Sequence, residues 1–219
     1  QIVDMGDLAL TEGPGDDHLI RQAVAGTLQA QAIPILLGGD HSVSYPILQA
    51  IHAHSGQVSI LHVDAHPDLY DDFEGNPRSH ASPFARIMES GLATRLVQVG
   101  IRTLNRHCRE QAERFGVEII DMRNFAQDMA PVLSGPVYIS LDLDGLDPAS
   151  APGVSHPEPG GLSVRDVLNV LDRVKGEIVG ADIVELNPRF DVNGVTAIVA
   201  AKLVREVASC AATNRKSGS

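Results

Sequence analysis

The sequence predicts an α/β fold of three layers, in which helices cover both faces of a mostly parallel central sheet. Short apolar runs rich in β-branched residues alternate along the chain with longer segments of helical period. This alternation is typical of parallel strands joined by helical crossovers. The 219 residues can bury a substantial core, and without an evident linker or internal repeat we expect one domain.

The expected strands are short and apolar throughout, as strands buried on both faces of a sheet should be. They are Ile33–Leu37, Val58–Val63, Arg95–Gly100, Val117–Asp121, Val137–Leu141 and Ile178–Val184. The expected helices are Asp17–Gln31, Tyr45–His54, Pro83–Ser90, Arg106–Phe115, Val164–Val174 and Val195–Ser209. Ser163 and Asp166 predict a capped start for the fifth helix. The Pro- and Gly-rich segment Gly145–Gly161 is predicted to be a functional loop, because long irregular loops in compact domains usually are.

The two ends of the chain lead to separate expectations. The chain begins at Gln1 and enters the strand-like stretch Ile2–Met5, from which we expect that upstream sequence is missing. No signal peptide is recognisable in the sequence, but a truncated start leaves organellar targeting open. Residues 214–219 are polar and predict a disordered tail, so the expected domain spans residues 1–213.

Composition narrows the classes of partner. Lys and Arg number 17 against 28 Asp and Glu, a net charge of −11 with neutral His. This balance argues against nucleic acid and anionic membrane surfaces, which need clustered positive charge, and favours small cations. No apolar run approaches the roughly 20 residues of a spanning helix, so a soluble protein is predicted. Two cysteines, Cys108 and Cys210, make no disulfide framework and fit a reducing, cytoplasmic location.

Four expected strands are followed at once by acidic or imidazole side chains. Because the carboxyl ends of parallel strands meet at one edge of the sheet, these side chains should converge there. They are Asp40 and His41 after the first strand, Asp64, His66 and Asp68 after the second, Asp142, Asp144 and Asp147 after the fifth, and Glu185 after the sixth.

The crowding of carboxylates at this edge predicts a metal centre. Residues two apart in extended chain point the same way, so Asp64 can project with His66, and Asp142 with Asp144. Four clustered aspartates in a pocket would repel one another unless cations lay between them. Two divalent ions offset their charge, with His41 and His66 completing the ligand shells. A carboxylate-rich set without thiolates suits Mn²⁺ better than structural zinc.

Simpler interpretations remain for individual residues. A single Asp-x-His or Asp-x-Asp after a strand can be a turn or a helix cap. Asp142–Gly145 resembles the start of a calcium loop, but its glycine falls at the wrong position for an EF-hand. Asp40 and Asp147 could support the ligands or simply form turns, and His62, on a buried strand, is expected to be a core histidine.

Six motifs, in order along the chain, resemble the ureohydrolase family of arginases and agmatinases, most closely its plant-type arginases and their bacterial relatives. They are GGDHS (Gly38–Ser42), DAHPD (Asp64–Asp68), SHASPF (Ser79–Phe84), SLDLDGLDP (Ser140–Pro148), PEPGGLS (Pro157–Ser163) and VELNP (Val184–Pro188). The similarity runs from Gly6 to about Val207. It implies the arginase/deacetylase-like fold, a homo-oligomer (trimer or hexamer), and an N-terminal segment of the family that this chain lacks.

The resemblance also implies roles for individual residues. One Mn²⁺ would be held by His41, Asp64, Asp68 and Asp142, and a second by Asp64, His66, Asp142 and Asp144. Asp68 thereby belongs to the catalytic set. Glu185 would grip a substrate guanidinium, unless it forms a salt bridge with Arg189 instead. His80 would pass a proton to the departing amine, although its spacing alone suggests a surface histidine.

The residues that animal-type arginases use for the amino-acid end of arginine are replaced here, so the resemblance leaves more than one guanidino substrate open. Tyr70 stands at the position of an asparagine in those enzymes, and Thr103–Asn105 replaces an acidic stretch. Tyr70 and His156 are therefore candidate substrate contacts.

The expected function is hydrolysis of a small cationic guanidino compound, first arginine to ornithine and urea. Agmatine hydrolysis to putrescine and urea is the alternative substrate assignment. A catalytically silent relative or a zinc-dependent deacetylase of similar fold are alternatives of other kinds.

Overall fold

The computed structural model describes residues 2–13, 15–126 and 132–214. Its six strands are β1 (Ile35–Leu37), β2 (Val58–Val63), β3 (Ala93–Ile101), β4 (Glu118–Asp121), β5 (Pro136–Asp142) and β6 (Glu177–Val184). Its α-helices are α1 (Asp16–Gln29), α2 (Ser44–Ser55), α3 (Pro83–Glu89), α4 (Arg106–Phe115), α5 (Val164–Leu171) and α6 (Val195–Asn214). The order of elements is the predicted one.

The strands form one sheet in the order β1-β6-β5-β2-β3-β4, and all neighbouring pairs are parallel. From β2 the chain builds outward through β3 to β4, then returns to place β5 on the other side of β2. The order therefore reverses between β2 and β5. In open parallel sheets, the crevice beyond the strand ends at such a reversal is the usual ligand site.

Two apolar clusters, one on each face of the sheet, complete the three layers. Helices α1 to α4 pack on one face, with Ile47, Ile51 and Phe84 among their fully buried side chains. Helices α5 and α6 cover the other face, where Leu203 and Val207 are buried. The predicted fold class is confirmed.

Helix ends differ from the expectation where local contacts intervene. Helix α5 begins with the predicted capping box of Ser163 and Asp166. It ends at Leu171 rather than Val174, because Val174 instead bridges to Leu133 beside the sheet. Helix α6 extends past Ser209 to Asn214, whose side-chain amide donates to the carbonyl oxygens of Val174 and Gly176. The predicted tail beyond Asn214 lies outside the described residues.

The strand-like stretch at the start of the chain is not a strand. Ile2–Met5 has no regular secondary structure and is exposed. Strand β1 is an edge strand of the described sheet, and Ile2–Met5 does not pair with it. The apolar pattern of Ile2–Met5 therefore has no partner strand among the described residues. Within the described ranges, no helix is both long enough and apolar enough to cross a membrane.

Candidate metal centre and active site

The centre of the site is set by the register of β2 and β5. Val63 pairs with Leu141, so Asp64 and Asp142 follow side by side, one residue further along two adjacent strands. Backbone N–H groups of the next residues then hold the carboxylates. His66 N–H donates to Asp64 Oδ1 at 2.6 Å, and Asp144 N–H donates to Asp142 Oδ1 at 2.8 Å. The predicted projection of these residues to one edge follows from this geometry.

His41 lies among three of the carboxylates. It begins a single 3₁₀ turn after β1, and it is fully buried. Its Nδ1 lies 3.2 Å from Asp64 Oδ2, 3.1 Å from Asp68 Oδ2 and 3.1 Å from Asp142 Oδ2. These four residues make up one of the two predicted ligand sets.

His66 forms the second group on the more open side of Asp64. Its Nδ1 lies 3.1 Å from Asp144 Oδ2 and 3.4 Å from Asp64 Oδ1. The two oxygens of Asp64 thus face different histidines, which is the arrangement of a shared carboxylate. Asp64, His66 and Asp144 are close enough together to hold one ion.

Burial and mutual repulsion raise the pKa of three of the four carboxylates, whereas the pKa of the fourth is lowered. Burial, together with the charge of Asp64, raises the pKa of Asp68 to about 7 and that of Asp144 to about 6. Burial and the neighbouring Asp144 and Asp64 raise the pKa of Asp142 well above its ordinary value. For Asp64, burial is outweighed by His62, His41 and His66, which hold its pKa well below the usual range. Four ionised carboxylates therefore need positive charge beside them, which protonated His41 and His66 or a bound cation can supply, and the same aspartates raise the pKa of His66 to about 11.

The hydrogen-bond direction at His41 fits a bound cation. Tyr138 and Ser44 donate to Asp182 Oδ2, and Ser140 Oγ donates to Asp182 Oδ1 at 2.6 Å. Having used its hydrogen, Ser140 Oγ accepts from His41 Nε2–H at 2.8 Å. In the neutral His41 ring the lone pair is then at Nδ1, which is buried and has no hydrogen-bond partner among the described residues. A lone pair facing three carboxylates is the donor set of a divalent metal ion.

Glu185 sits beside this centre in a strained conformation. It follows β6 with φ +69°, a left-handed value that is uncommon for a residue with a side chain. Its Oε1 accepts a hydrogen bond from the backbone N–H of His41 at 2.9 Å. Burial raises its pKa to about 7, against the opposing effect of His41. A cationic ligand would keep this carboxylate ionised.

Two further histidines stand near His66. The rings of His80 and His156 stack with centroids 5.3 Å apart, and His156 lies edge-on to His66 at 6.2 Å. Burial and the neighbouring imidazoles lower the pKa of His156. The structure therefore brings both predicted residues to the side of the centre where His66 is partly exposed.

Tyr70 is directed toward a different set of neighbours. Its hydroxyl accepts from Asn105 Nδ2 at 2.5 Å, and its ring stacks on His107. Asn105 also caps α4. Tyr70 is thus tied to the start of this helix.

Arg102 ties the loop that carries His156 to the turn that follows β5. The guanidinium donates to the carbonyl oxygens of Asp144 at 2.7 Å and Glu158 at 2.6 Å, and also reaches Gly145 and Leu146. Asp147 Oδ2 receives the N–H groups of Gly160 and Gly161 at 2.7 and 3.0 Å. Asp147 also forms a local turn, since its Oδ1 accepts from the Ala149 N–H at 2.9 Å, so it both shapes the turn and ties the two ends of the loop together. Sequence reasoning did not find Arg102, since only the fold brings it near these carbonyls.

His62 was underestimated by the sequence analysis. It is fully buried, as expected of a core histidine, but its Nε2 lies 2.7 Å from Asp64 Oδ2. The alternation of residues along β2 offered a signal, because His62 and Asp64 are two apart and share a side of the sheet.

Comparison with known proteins agrees with this architecture. The family model described as "Arginase family" matches residues 1–210. The chain belongs to the arginase family. Arginase 1, mitochondrial, of Arabidopsis thaliana is 54% identical over 95% of this chain and 66% of its own length. Agmatinase, mitochondrial, of Gallus gallus is 39% identical over 94% of this chain and 65% of its own.

A solved arginase has the same fold. The arginase from Medicago truncatula superposes with a TM-score of 0.86 at 49% identity, covering 92% of this chain and 66% of the arginase chain. The resemblance found from six motifs is therefore confirmed at the level of family and fold. The chain spans about two thirds of the length of these relatives.

Proposed function

We propose that this arginase-family protein is a binuclear manganese hydrolase that cleaves L-arginine to L-ornithine and urea. The observation that carries the proposal is the pair of carboxylate–imidazole groups that share Asp64 beyond the reversal of the strand order. The 54% identity with a protein named Arginase 1 supports arginine as first choice.

The ligands we assign are those expected from the sequence. His41, Asp64, Asp68 and Asp142 would hold one Mn²⁺, and Asp64, His66, Asp142 and Asp144 the other. Two such ions, when bound, lower the pKa of water so that hydroxide is available near neutral pH. The residues around them have the separate task of binding and orienting a planar cation.

Glu185 supplies the binding charge. A carboxylate pairs with a guanidinium through two parallel hydrogen bonds, which fixes the plane of the cation as well as its position. The hydrogen bond from His41 N–H to Oε1 holds the Glu185 side chain against the metal centre. The guanidinium carbon is thereby presented to the attacking oxygen in one orientation.

His80 completes the reaction by moving a proton. Attack of water-derived oxygen on the guanidinium carbon is followed by cleavage of the bond to the substrate's alkyl nitrogen. That nitrogen must gain a proton to leave as an amine, while the carbon fragment leaves as urea. An imidazole can deliver this proton near neutral pH, and His80 stands next to His156 on the open side.

Several narrower assignments are part of the same proposal. His156 and Tyr70 contribute to substrate recognition, residues 1–213 form one catalytic domain, and the active form is a homo-oligomer. A cytoplasmic location remains a prediction, whereas the plant relatives carry organelle names such as mitochondrial.

The test is urea release by the manganese-loaded protein from arginine and, separately, from agmatine. We expect a higher kcat/KM for arginine. A higher value for agmatine would reassign the substrate, in keeping with the similarity to the Gallus gallus agmatinase. Bound manganese without urea release from either compound would favour a silent metal-binding relative.

A further inference from the structure

His62 links a metal-ligand candidate to a residue deeper in the sheet. Its ring lies on β2, fully buried, between Asp64 on one side and Gln98 of β3 on the other. The ring also stacks on Phe84, with centroids 3.9 Å apart and planes inclined by 26°. Its position is thus fixed by packing, and its two nitrogens each have a polar neighbour.

The orientation of Gln98 determines which of those nitrogens carries hydrogen. Gln98 Nε2 lies 2.6 Å from the carbonyl oxygen of Pro67, which can only accept a hydrogen bond. The amide nitrogen therefore faces Pro67, and the same nitrogen lies 3.0 Å from His62 Nδ1. Because the amide NH₂ donates to both, Nδ1 of His62 is an acceptor.

An imidazole that accepts at Nδ1 has its hydrogen at Nε2. That N–H points at Asp64 Oδ2, 2.7 Å away. His62 lies close enough to His41 and Asp64 to be a metal ligand by distance. Its Nε2 lone pair is absent in this arrangement, however, so His62 serves the carboxylate and not the ion.

We propose that Gln98 and His62 are positioning residues for the metal centre. Gln98 fixes the hydrogen-bond direction of His62, and His62 in turn fixes the rotation of the Asp64 carboxylate. This inference rests on the metal-binding part of the proposed function and adds to it two residues that are not ligands.

The position of Asp64 explains why its rotation matters. Its Oδ2 faces His41 and its Oδ1 faces His66, so one carboxylate serves both halves of the centre. His66 N–H restrains Oδ1 and His62 restrains Oδ2. If the restraint on Oδ2 is removed, the carboxylate can turn away from both sites at once. Loss of such an outer partner typically weakens metal affinity about 10- to 100-fold.

Three variants separate hydrogen bonding from packing. His62→Phe keeps an aromatic ring for the stack on Phe84 but removes the donor to Asp64. His62→Gln loses the ring but keeps an N–H₂ group near the place of Nε2. Gln98→Met removes the donor to Nδ1 and preserves chain length. The matched control is Gln111→Met, which removes a buried amide that donates to the Leu69 carbonyl oxygen at 3.4 Å and leaves His62 untouched.

The measurement is the Mn²⁺ dissociation constant of the metal-free protein, obtained by chelator competition, so that no turnover is required. We expect His62→Phe to raise Kd by about 10- to 100-fold for both ions. Gln98→Met should raise it by about 5-fold, the effect of one neutral hydrogen bond. His62→Gln should recover most of the lost affinity, and Gln111→Met should match the wild type.

The outcomes distinguish this inference from the function on which it rests. A wild-type protein that takes up no manganese overturns both. Wild-type binding with an unchanged Kd in His62→Phe overturns the inference alone, and so does equal weakening by His62→Phe and His62→Gln. If His62→Phe does not fold, Gln98→Met against Gln111→Met decides: weakening by the first only supports the inference, and equal affinity overturns it.

Discussion

Glu185 has a left-handed backbone at φ +69° and a partly buried side chain. Such strain costs about 1–3 kcal/mol and persists where the surrounding structure enforces it, commonly at functional sites. Two contacts enforce it here: Glu185 N–H donates to the Gly39 carbonyl oxygen, and Glu185 Oε1 accepts from the His41 N–H. The strained residue is therefore locked to the turn that carries a ligand candidate.

Glu185→Gln tests the binding charge at this position. The amide keeps the size of the side chain but loses the charge that attracts a guanidinium. A charge-assisted pair contributes about 1.5–3 kcal/mol, so kcat/KM for arginine should fall by about 10- to 150-fold. Steady-state kinetics of urea release, with metal content measured in parallel, checks this. Unchanged kcat/KM would remove Glu185 from the substrate site.

His80→Asn tests proton delivery. General acid catalysis contributes about 10²- to 10⁴-fold, so kcat should fall within this range while KM changes little. Added imidazole should restore part of the rate in this variant. The exposed His54 offers a control, since His54→Asn should retain full activity. A variant of His80 with normal kcat would contradict the assigned role.

At the level of elements, the loop between β5 and α5 is held by Arg102 and Asp147 while it presents His156. His156→Thr should therefore change substrate recognition without disturbing the ligands. We expect KM to shift by different factors for arginine and agmatine, with unchanged manganese content. Equal factors for the two substrates would assign His156 to loop packing instead.

The backbone of Gly145 packs closely against that of Asp64, which predicts that a larger residue at position 145 is destabilising. A Cβ at Gly145 would meet the Asp64 backbone nitrogen at 2.8 Å and its Cα at 3.0 Å. Gly145→Ala should thus lower the free energy of unfolding by about 1–3 kcal/mol, as overpacking does, and weaken manganese binding. Gly26→Ala, in open space within α1, should instead stabilise by about 0.5–1 kcal/mol. Urea denaturation of both variants provides the comparison.

Element order and the convergence of the candidate ligands could be predicted from the sequence because both depend on local patterns. Periodicity located β2 to the residue, and the motifs after the strands named His41, Asp64 and Asp142. Contacts between distant segments could not be predicted this way. Arg102 reaches Glu158 across 56 positions, and Gln98 reaches His62 across 36, with no motif to mark either pair. Ile2–Met5 shows the opposite error, an apolar pattern without a partner strand.

For the whole molecule, metal binding should act as a stabilising ligand. Ions that bind only the folded state stabilise it by about 2.7 kcal/mol when present at 100 times their Kd. We expect Tm to rise on addition of Mn²⁺ to the metal-free protein and to fall again with chelator. A scanning calorimetry series over manganese concentration measures this. A Tm independent of manganese would argue against a folded-state site.

The raised pKa values of the carboxylates predict how stability and Mn²⁺ affinity change with pH. Asp68 and Asp144, with pKa values raised to about 7 and 6, keep protons in the metal-free fold that the unfolded chain has already released. The metal-free protein should therefore lose stability as pH rises from about 4 toward 7. Binding of Mn²⁺ displaces these protons, so affinity should increase over the same interval. Calorimetric titrations at pH 6 and pH 8, in buffers of different ionisation enthalpy, would detect the released protons. Absence of proton release at pH 6 would contradict the assignment.

The pairing of Val63 with Leu141 has a consequence for how such a molecule can change over time. Adjacent strands lie about 4.7–4.9 Å apart whatever their sequence. The hydrogen bonding of the sheet therefore sets the backbone spacing between Asp64 and Asp142. Loops can then be lengthened, shortened or exchanged without changing that spacing. For the proposed hydrolase, other guanidino compounds would become substrates through changes in the loops alone, while the candidate metal centre would be kept with the sheet.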